Sequence, residues 1–265
     1  MQYNPYSEIR KVPLDYQGIQ SSAFSVQIDK EFGEYEEVGV VSNNYLLIPN
    51  NEVKEIVDDL ADTTGFDWEV AKTHFDGKKY VYSLFAKDQT KEMEVGDSVG
   101  LGISAWNSYD GSIAFNVRFM AYRLECLNGM MSNTIFNSFR FKHDKESANY
   151  QEQMEQAKNM FRNDTDTRLD LFINSCNRLA TTVDVTNLSE IRTKYIPDVP
   201  SGIYGKIVDE FWSDEYKDTA WDFLNAATKT LWHREKSTVA DFKHNQYIVD
   251  GMFSYGRAHD RIGTK

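Results

Sequence analysis

Val99-Gly-Leu-Gly-Ile-Ser-Ala-Trp-Asn107 and Ile113-Ala-Phe-Asn-Val-Arg-Phe-Met-Ala-Tyr-Arg-Leu124 flank the turn residues Tyr109-Asp110-Gly111, and this stretch decides the fold. A three-residue loop ending in a left-handed glycine is a standard hairpin connection. In that register Ala105 faces Phe115 and Ile103 faces Val117, so Val99, Leu101, Ile103, Phe115, Val117 and Phe119 share one apolar face. A two-residue Asp-Gly turn would set Ile103 against Arg118, with a smaller hydrophobic gain. The opposite face collects Gly100, Gly102, Ser104 and Trp106 with Ala114, Asn116, Arg118, Met120 and Tyr122. Small residues there permit either a closely packed helix or an approaching ligand.

Towards the amino terminus, Phe66–Phe75 and Lys79–Phe85 read as a second hairpin joined at Asp76-Gly77. Before it, residues 51–60 set Val53, Ile56, Val57 and Leu60 on one helical face, with Glu52, Glu55, Asp58 and Asp59 turned outward. Asn50 or Asn51 is the expected cap. Residues 37–49 read as two short strands around Ser42-Asn43-Asn44.

Towards the carboxy terminus, Asn128-Gly129 signals a turn, and Phe136-Asn-Ser-Phe-Arg-Phe-Lys-His143 interleaves aromatics with cations. A long helix follows over 150–180, where Met154, Ala157, Phe161, Thr165, Leu169, Phe172, Cys176 and Leu179 step by three or four. Such a stripe exceeds what a small sheet covers, which predicts self-association. Further helices are expected over Ser201–Phe211 and Asp218–Trp232. The fold class is therefore α+β: a twisted antiparallel sheet with hairpins packed on a long helix, followed by a helical C-terminal part. Tight hairpins admit only antiparallel pairing. Residues 1–145 form the β-rich core and 146–265 the helical region, packed on that core or continuous with it.

The 265 residues carry a formal charge of −12, which weighs against polyanion binding. The acidity is uneven, however. Residues 1–111 hold 9 Lys/Arg against 20 Asp/Glu, residues 112–178 hold 9 against 8, and residues 179–265 hold 11 against 13. The middle of the chain is thus free to be locally positive. No apolar run approaches the roughly 18 residues of a membrane span, and the first residues lack the order of a signal peptide. Two cysteines, Cys126 and Cys176, fit a reducing compartment, so no membrane partner and a cytoplasmic location are expected.

Catalytic patterns are missing from the sequence. The five histidines include no pair four apart, and the cysteines lie fifty apart, so no metal and no cofactor is expected. Ala258-His259-Asp260 resembles the His-Asp pair of metal phosphohydrolases, without the further ligands that chemistry needs. Neither a phosphate-cradling glycine loop nor a Gly-x-Ser-x-Gly elbow occurs.

Four motifs appear in order: Gly39-Val-Val-Ser-Asn-Asn-Tyr45, Asn107-Ser-Tyr-Asp-Gly-Ser112, Arg123-Leu-Glu-Cys-Leu-Asn-Gly129, and Asn225-Ala-Ala-Thr228 near His233. Over residues 20–250 the chain resembles the phage/plasmid-like family catalogued as domain of unknown function 932. It departs from the usual pattern at Asn43-Asn44, where a charged pair is commoner, and at Leu127, where Ser is common. The resemblance implies a mobile-element setting rather than a reaction. A more distant likeness, at the level of fold analogy, is to phage single-strand annealing proteins of the RecT, Redβ and Erf types. It implies ATP-independent annealing by an oligomer, with no catalytic residue.

The leading expectation is therefore a phage- or plasmid-type protein, not an enzyme, that binds single-stranded DNA or RNA as a homo-oligomer. The candidate nucleic-acid residues are Lys78, Lys79, Tyr80, Arg118, Tyr122, Arg140, Lys142, Lys158 and Arg162. Lys78 and Lys79 sit at a hairpin rim, Arg140 and Lys142 alternate with Phe139 and Phe141, and Lys158 and Arg162 lie one helical turn apart. Competing readings are a phage structural or host-interaction protein and, third, a nuclease or other hydrolase.

Overall fold

A computed structural model describes residues 3–30, 33–93, 96–145, 150–182, 185, 187–213, 218–233 and 239–259. The strands are β1 (Ile9–Tyr16), β2 (Ile19–Asp29), β3 (Tyr35–Ser42), β4 (Trp68–Phe75), β5 (Lys79–Glu92), β6 (Ser98–Ser108), β7 (Phe115–Arg123), β8 (Asn128–Met130) and β9 (Ser138–Phe141). The helices are α1 (Asn50–Asp62), α2 (Tyr150–Thr181), α3 (Leu188–Glu190), α4 (Ser201–Phe211), α5 (Ala220–Trp232) and α6 (Val239–His259), with a π-helical turn at Ile191–Tyr195. Strands β1-β2-β3 form one antiparallel sheet, and β4-β5-β6-β7-β8 form a second in which β9 also pairs with β7. The α+β class, the antiparallel pairing and the helical C-terminal part agree with the sequence reading.

Backbone contacts divide the chain into two units. The first comprises Met1–Phe85, Ile103–Arg118 and Ser138–Asp164; the second comprises Ala86–Gly102, Phe119–Asn137 and Thr165–Lys265. In the first unit α1 buries Val53, Val57 and Leu60 as its period requires. Tyr82 of β5 donates to Asp58 Oδ1 at 3.1 Å, and Asn50 N donates to Tyr109 Oη at 3.0 Å, so the helix is tied to the strands by polar contacts too.

Several local expectations are corrected here. Pro49, not an asparagine, holds the cap position of α1, and no side chain caps it. Asn50 is occupied elsewhere: it is 1% exposed, donates to Pro5 O at 3.0 Å and accepts from Asn107 Nδ2 at 3.2 Å. Residues 45–49 are not a strand, because their polar groups bond to separate segments rather than to one ladder. The connection between β6 and β7 spans residues 109–114 rather than three. Ser108 Oγ spans it by accepting from Ile113 N (3.1 Å) and donating to Ile113 O (2.9 Å). Gly111 still takes the left-handed φ of 72°.

Both faces of β6 and β7 are buried, so the small-residue face is packed rather than approachable. In the second unit Tyr122 meets Trp232 edge-on at 5.6 Å. The stripe of α2 is likewise covered by the chain: Met154, Ala157, Leu169, Phe172, Cys176 and Leu179 are all buried. The side chains of Phe161 and Thr165 lie outside the described residues, as does Asp260 of the His259-Asp260 pair.

Helix α5 starts at a capping box between Thr219 and Asp222 and packs against α4, α6 and β8. Helix α6 clamps the strand region through two polar side chains. Asn245 donates to Gly129 O at 2.8 Å and accepts from Met131 N at 3.0 Å, as a neighbouring strand would. Asp250 accepts from Ser132 Oγ (2.6 Å), Thr134 Oγ1 (2.9 Å) and Asn133 N (3.1 Å).

Candidate functional site

The pairing of β9 with β7 decides which cations gather. Phe115 lies opposite Phe141, Asn116 opposite Arg140, Val117 opposite Phe139 and Arg118 opposite Ser138. Cross-strand partners share a face. Phe115 and Phe141 therefore stack on the apolar side, with centroids 5.3 Å apart. Arg118 and Arg140 fall on the other side as diagonal neighbours, a relation that places Cα atoms about 7–8 Å apart. Arg118 is 7% exposed; its Nε donates to Asn116 Oδ1 at 3.1 Å and its guanidinium lies 4.5 Å from the Trp106 ring centroid. Arg140 and Lys142 are exposed, and neither makes an ion pair among the described residues.

Just beyond β9 the chain clamps the Asn43–Leu46 loop. Leu46 N donates to His143 O (3.2 Å) and Lys145 N to Asn44 O (3.0 Å), while Tyr45 Oη donates to Ser108 O (2.6 Å). The His143 ring stacks on Tyr45 at 4.6 Å with Nδ1 2.9 Å from Leu46 O; burial lowers its pKa and that bond opposes the shift. Lys11 Nζ reaches Asn43 O at 2.7 Å and Tyr45 O at 2.9 Å. Burial lowers the Lys11 pKa, and the neighbouring Lys145 charge lowers it further. Two like charges are thus held together beside exposed Asn43. The sequence reading missed Lys11 and Lys145. Only the quoted Gly39–Tyr45 motif hinted at this corner, because nothing local links residue 11 to residue 145.

The other candidate residues behave differently. Tyr80 and Tyr122 are wholly buried and present no face to a base. Lys78 is exposed and Lys79 half-buried. Both charges act on Asp110: burial opposes its ionisation, but the Ser112 hydroxyl and N–H and the two lysines outweigh this and lower its pKa. Lys158 is half-buried with Glu155 Oε1 at 3.3 Å, and Arg162 is exposed.

The four sequence motifs meet in pairs. In the first unit Gly39 lies so close to the Tyr109-Asp110 backbone that a Cβ would sit 2.7 Å from Asp110 Cα. In the second, His233 Nε2 lies 2.7 Å from Asn128 Oδ1 and 3.1 Å from Cys126 O. A cleft of about 690 Å³ also opens in the second unit, lined in part by Asp97, Ser98, Arg123, Glu125, Trp221 and Asp222. Asp97 Oδ2 accepts from Arg123 Nε (2.6 Å) and Trp221 Nε1 (3.1 Å), and its Oδ1 accepts from Ser98 N (3.0 Å). Burial opposes the Arg123 charge, yet the Asp97 carboxylate more than compensates and raises its pKa. Arg123 Nη1 also lies 3.7 Å from the Sγ of half-buried Cys126, whereas Cys176 is wholly buried and its thiol pKa is pushed well up. These groups satisfy one another and tie three segments together. Among the described residues no three His, Cys, Asp or Glu side chains converge as metal ligands would.

No described helix is long and apolar enough to cross a membrane. No curated protein and no solved structure shows a significant match to the chain. Residues 37–252, which span all four motifs and both motif pairs, match the family described as domain of unknown function (DUF932), and the protein belongs to that family.

Proposed function

We propose that this protein binds single-stranded nucleic acid, DNA or RNA, through the cationic face of β9 and the clamped corner beside it. The observation that carries the reading is the β7–β9 register, which sets exposed Arg140 on the border of the sheet diagonal to buried Arg118 and leads on to exposed Lys142. Residues 138–145 hold three cations and one carboxylate in a chain that is otherwise strongly acidic. Lys11 and Lys145 extend the positive region, and their mutual repulsion would be relieved by a bound phosphate. In this reading the protein acts in the cytoplasm of a cell carrying a phage or plasmid, and promotes annealing of complementary strands without ATP. Annealing by several copies on one strand would need a contact surface other than the covered stripe of α2.

The net charge of −12 favours a second reading, a non-enzymatic protein that docks on a phage or host protein. One titration separates the two. Fluorescence anisotropy of a labelled single-stranded oligonucleotide at low salt should show saturable binding that weakens as salt rises, and a complementary strand should then anneal faster with protein than without, ATP being absent. No binding at low salt would overturn the nucleic-acid reading.

A further inference from the structure

Among the described residues, the aromatic rings beside the cationic face are covered or half-buried. The Arg118 guanidinium lies over Trp106, which is 4% exposed. The His143 ring covers Tyr45, which is 8% exposed. Phe141, 4% exposed, stacks on Phe115, and Phe139 is half-buried on that same far side of the strand. Among the described residues, a base arriving at Arg140 and Lys142 meets no fully exposed ring on which to stack. The interleaving of Phe with Arg and Lys, which in sequence suggests that bases and phosphates are gripped together, instead sends the two residue types to opposite faces.

The backbone adds donors where the cations are. Phe119 N donates to Asn137 O at 3.2 Å, which fixes the phase of the ladder. Residues alternate along an antiparallel pair, so the N–H and C=O groups of Ser138 and Arg140 point away from β7. Among the described strands β9 pairs with β7 alone. Arg140 thus offers a guanidinium and a main-chain N–H along the same border of the sheet. Lys142 is the first residue past β9 and two positions on from Arg140, a step that spans about 6.8 Å in an extended chain. That step is close to the distance between successive phosphates of a nucleic-acid strand, so neighbouring cations can meet neighbouring phosphates.

We infer that β9 is a rail for the sugar–phosphate backbone of an extended strand, gripping phosphates through Arg140, Lys142 and the outward N–H of Arg140, and leaving the bases unstacked. The inference rests on the nucleic-acid reading above and narrows it: the ligand class is an extended phosphodiester chain of any sequence, and a base is not required.

The test compares two fluorescent probes of equal length at low salt, a mixed-sequence single-stranded oligonucleotide and the corresponding abasic strand. The rail predicts dissociation constants within about threefold of each other, because a stacking platform would lose about fivefold or more for each base removed. Replacing Arg140→Ala with Lys142→Ala should weaken both probes alike and make the salt dependence shallower by about 1.4, or roughly 0.7 per phosphate contact. Ser138→Lys, in phase on the same exposed side, should steepen it by about 0.7, whereas Ser189→Lys in α3 should leave it unchanged. An abasic strand bound more than about thirtyfold more weakly would overturn the rail while leaving nucleic-acid binding intact. Unchanged salt slopes in both the double variant and Ser138→Lys would do the same. Failure of the parent to bind either probe would remove the underlying reading as well.

Discussion

Asn245 stands in for a strand, and its removal tests how far the β8 region depends on a helix. The side chain is 1% exposed and holds Gly129 O and Met131 N, both in buried residues. Asn245→Ala strands one acceptor and one donor, each at about 1–3 kcal/mol. Some relaxation is expected, so the loss should be about 3–4 kcal/mol. For a chain of this size that corresponds to a fall in Tm of roughly 6–15 °C. Asn245→Asp makes the test sharper. Its carboxylate still accepts from Met131 N but cannot donate to Gly129 O, so at neutral pH it should be about as damaging as alanine. Acidification should restore part of the loss, since a protonated carboxyl can donate. Thermal melts read both variants, and hydrogen exchange reads the Met131 amide directly. A fall below about 2 °C for Asn245→Ala, with Met131 protection unchanged, would refute the argument.

Asp250→Asn replaces an oxygen that accepts from the 132–134 segment with an amide donor facing donors, and should cost about 2–3 kcal/mol in a denaturant titration. Gly39→Ala would set a Cβ 2.7 Å from Asp110 Cα and 2.8 Å from Tyr109 O, both backbone atoms, for an expected loss of about 1–3 kcal/mol. Gly202→Ala, where nothing lies within 4 Å, should instead be neutral or stabilising, and equal melts for the two would sink the steric account. Burial depresses the His143 pKa, so the unfolded state binds more protons as pH falls: stability is full above about 6.5 and drains below it through the folded pKa. His143→Gln should flatten that acid limb, leaving the part due to His74, whose pKa burial also lowers.

What could be read from the sequence follows from how regular each element is. Helix α1 was legible because its apolar residues keep the 3.6 period and its charges point out; its cap was not, because the Asn50 amide is taken by Pro5 and Asn107. Strands β1 and β2 went unread, with Pro13, Arg10, Lys11 and several Ser and Gln residues diluting any alternation. Helix α6 was hidden for a related reason. Its inner side mixes Phe242, Ile248 and Met252 with Asp241 and Asn245, since the helix is held by polar clamps as well as apolar packing. At the candidate site the alternation around Arg140 was visible, but its consequence depended on the pairing with β7. The Lys11–Lys145 corner joins residues too distant in sequence for any local signal.

The unequal burial of the two thiols gives the second unit an internal clock. A small alkylating reagent should mark Cys126 at once, whereas Cys176, wholly enclosed and held protonated, can react only when α2 lifts from its neighbours. The delay between the first and second label therefore measures the free energy of that local opening, without any engineered probe. A ligand or substitution that tightens α2 will lengthen the delay, and one that acts only elsewhere will leave it unchanged.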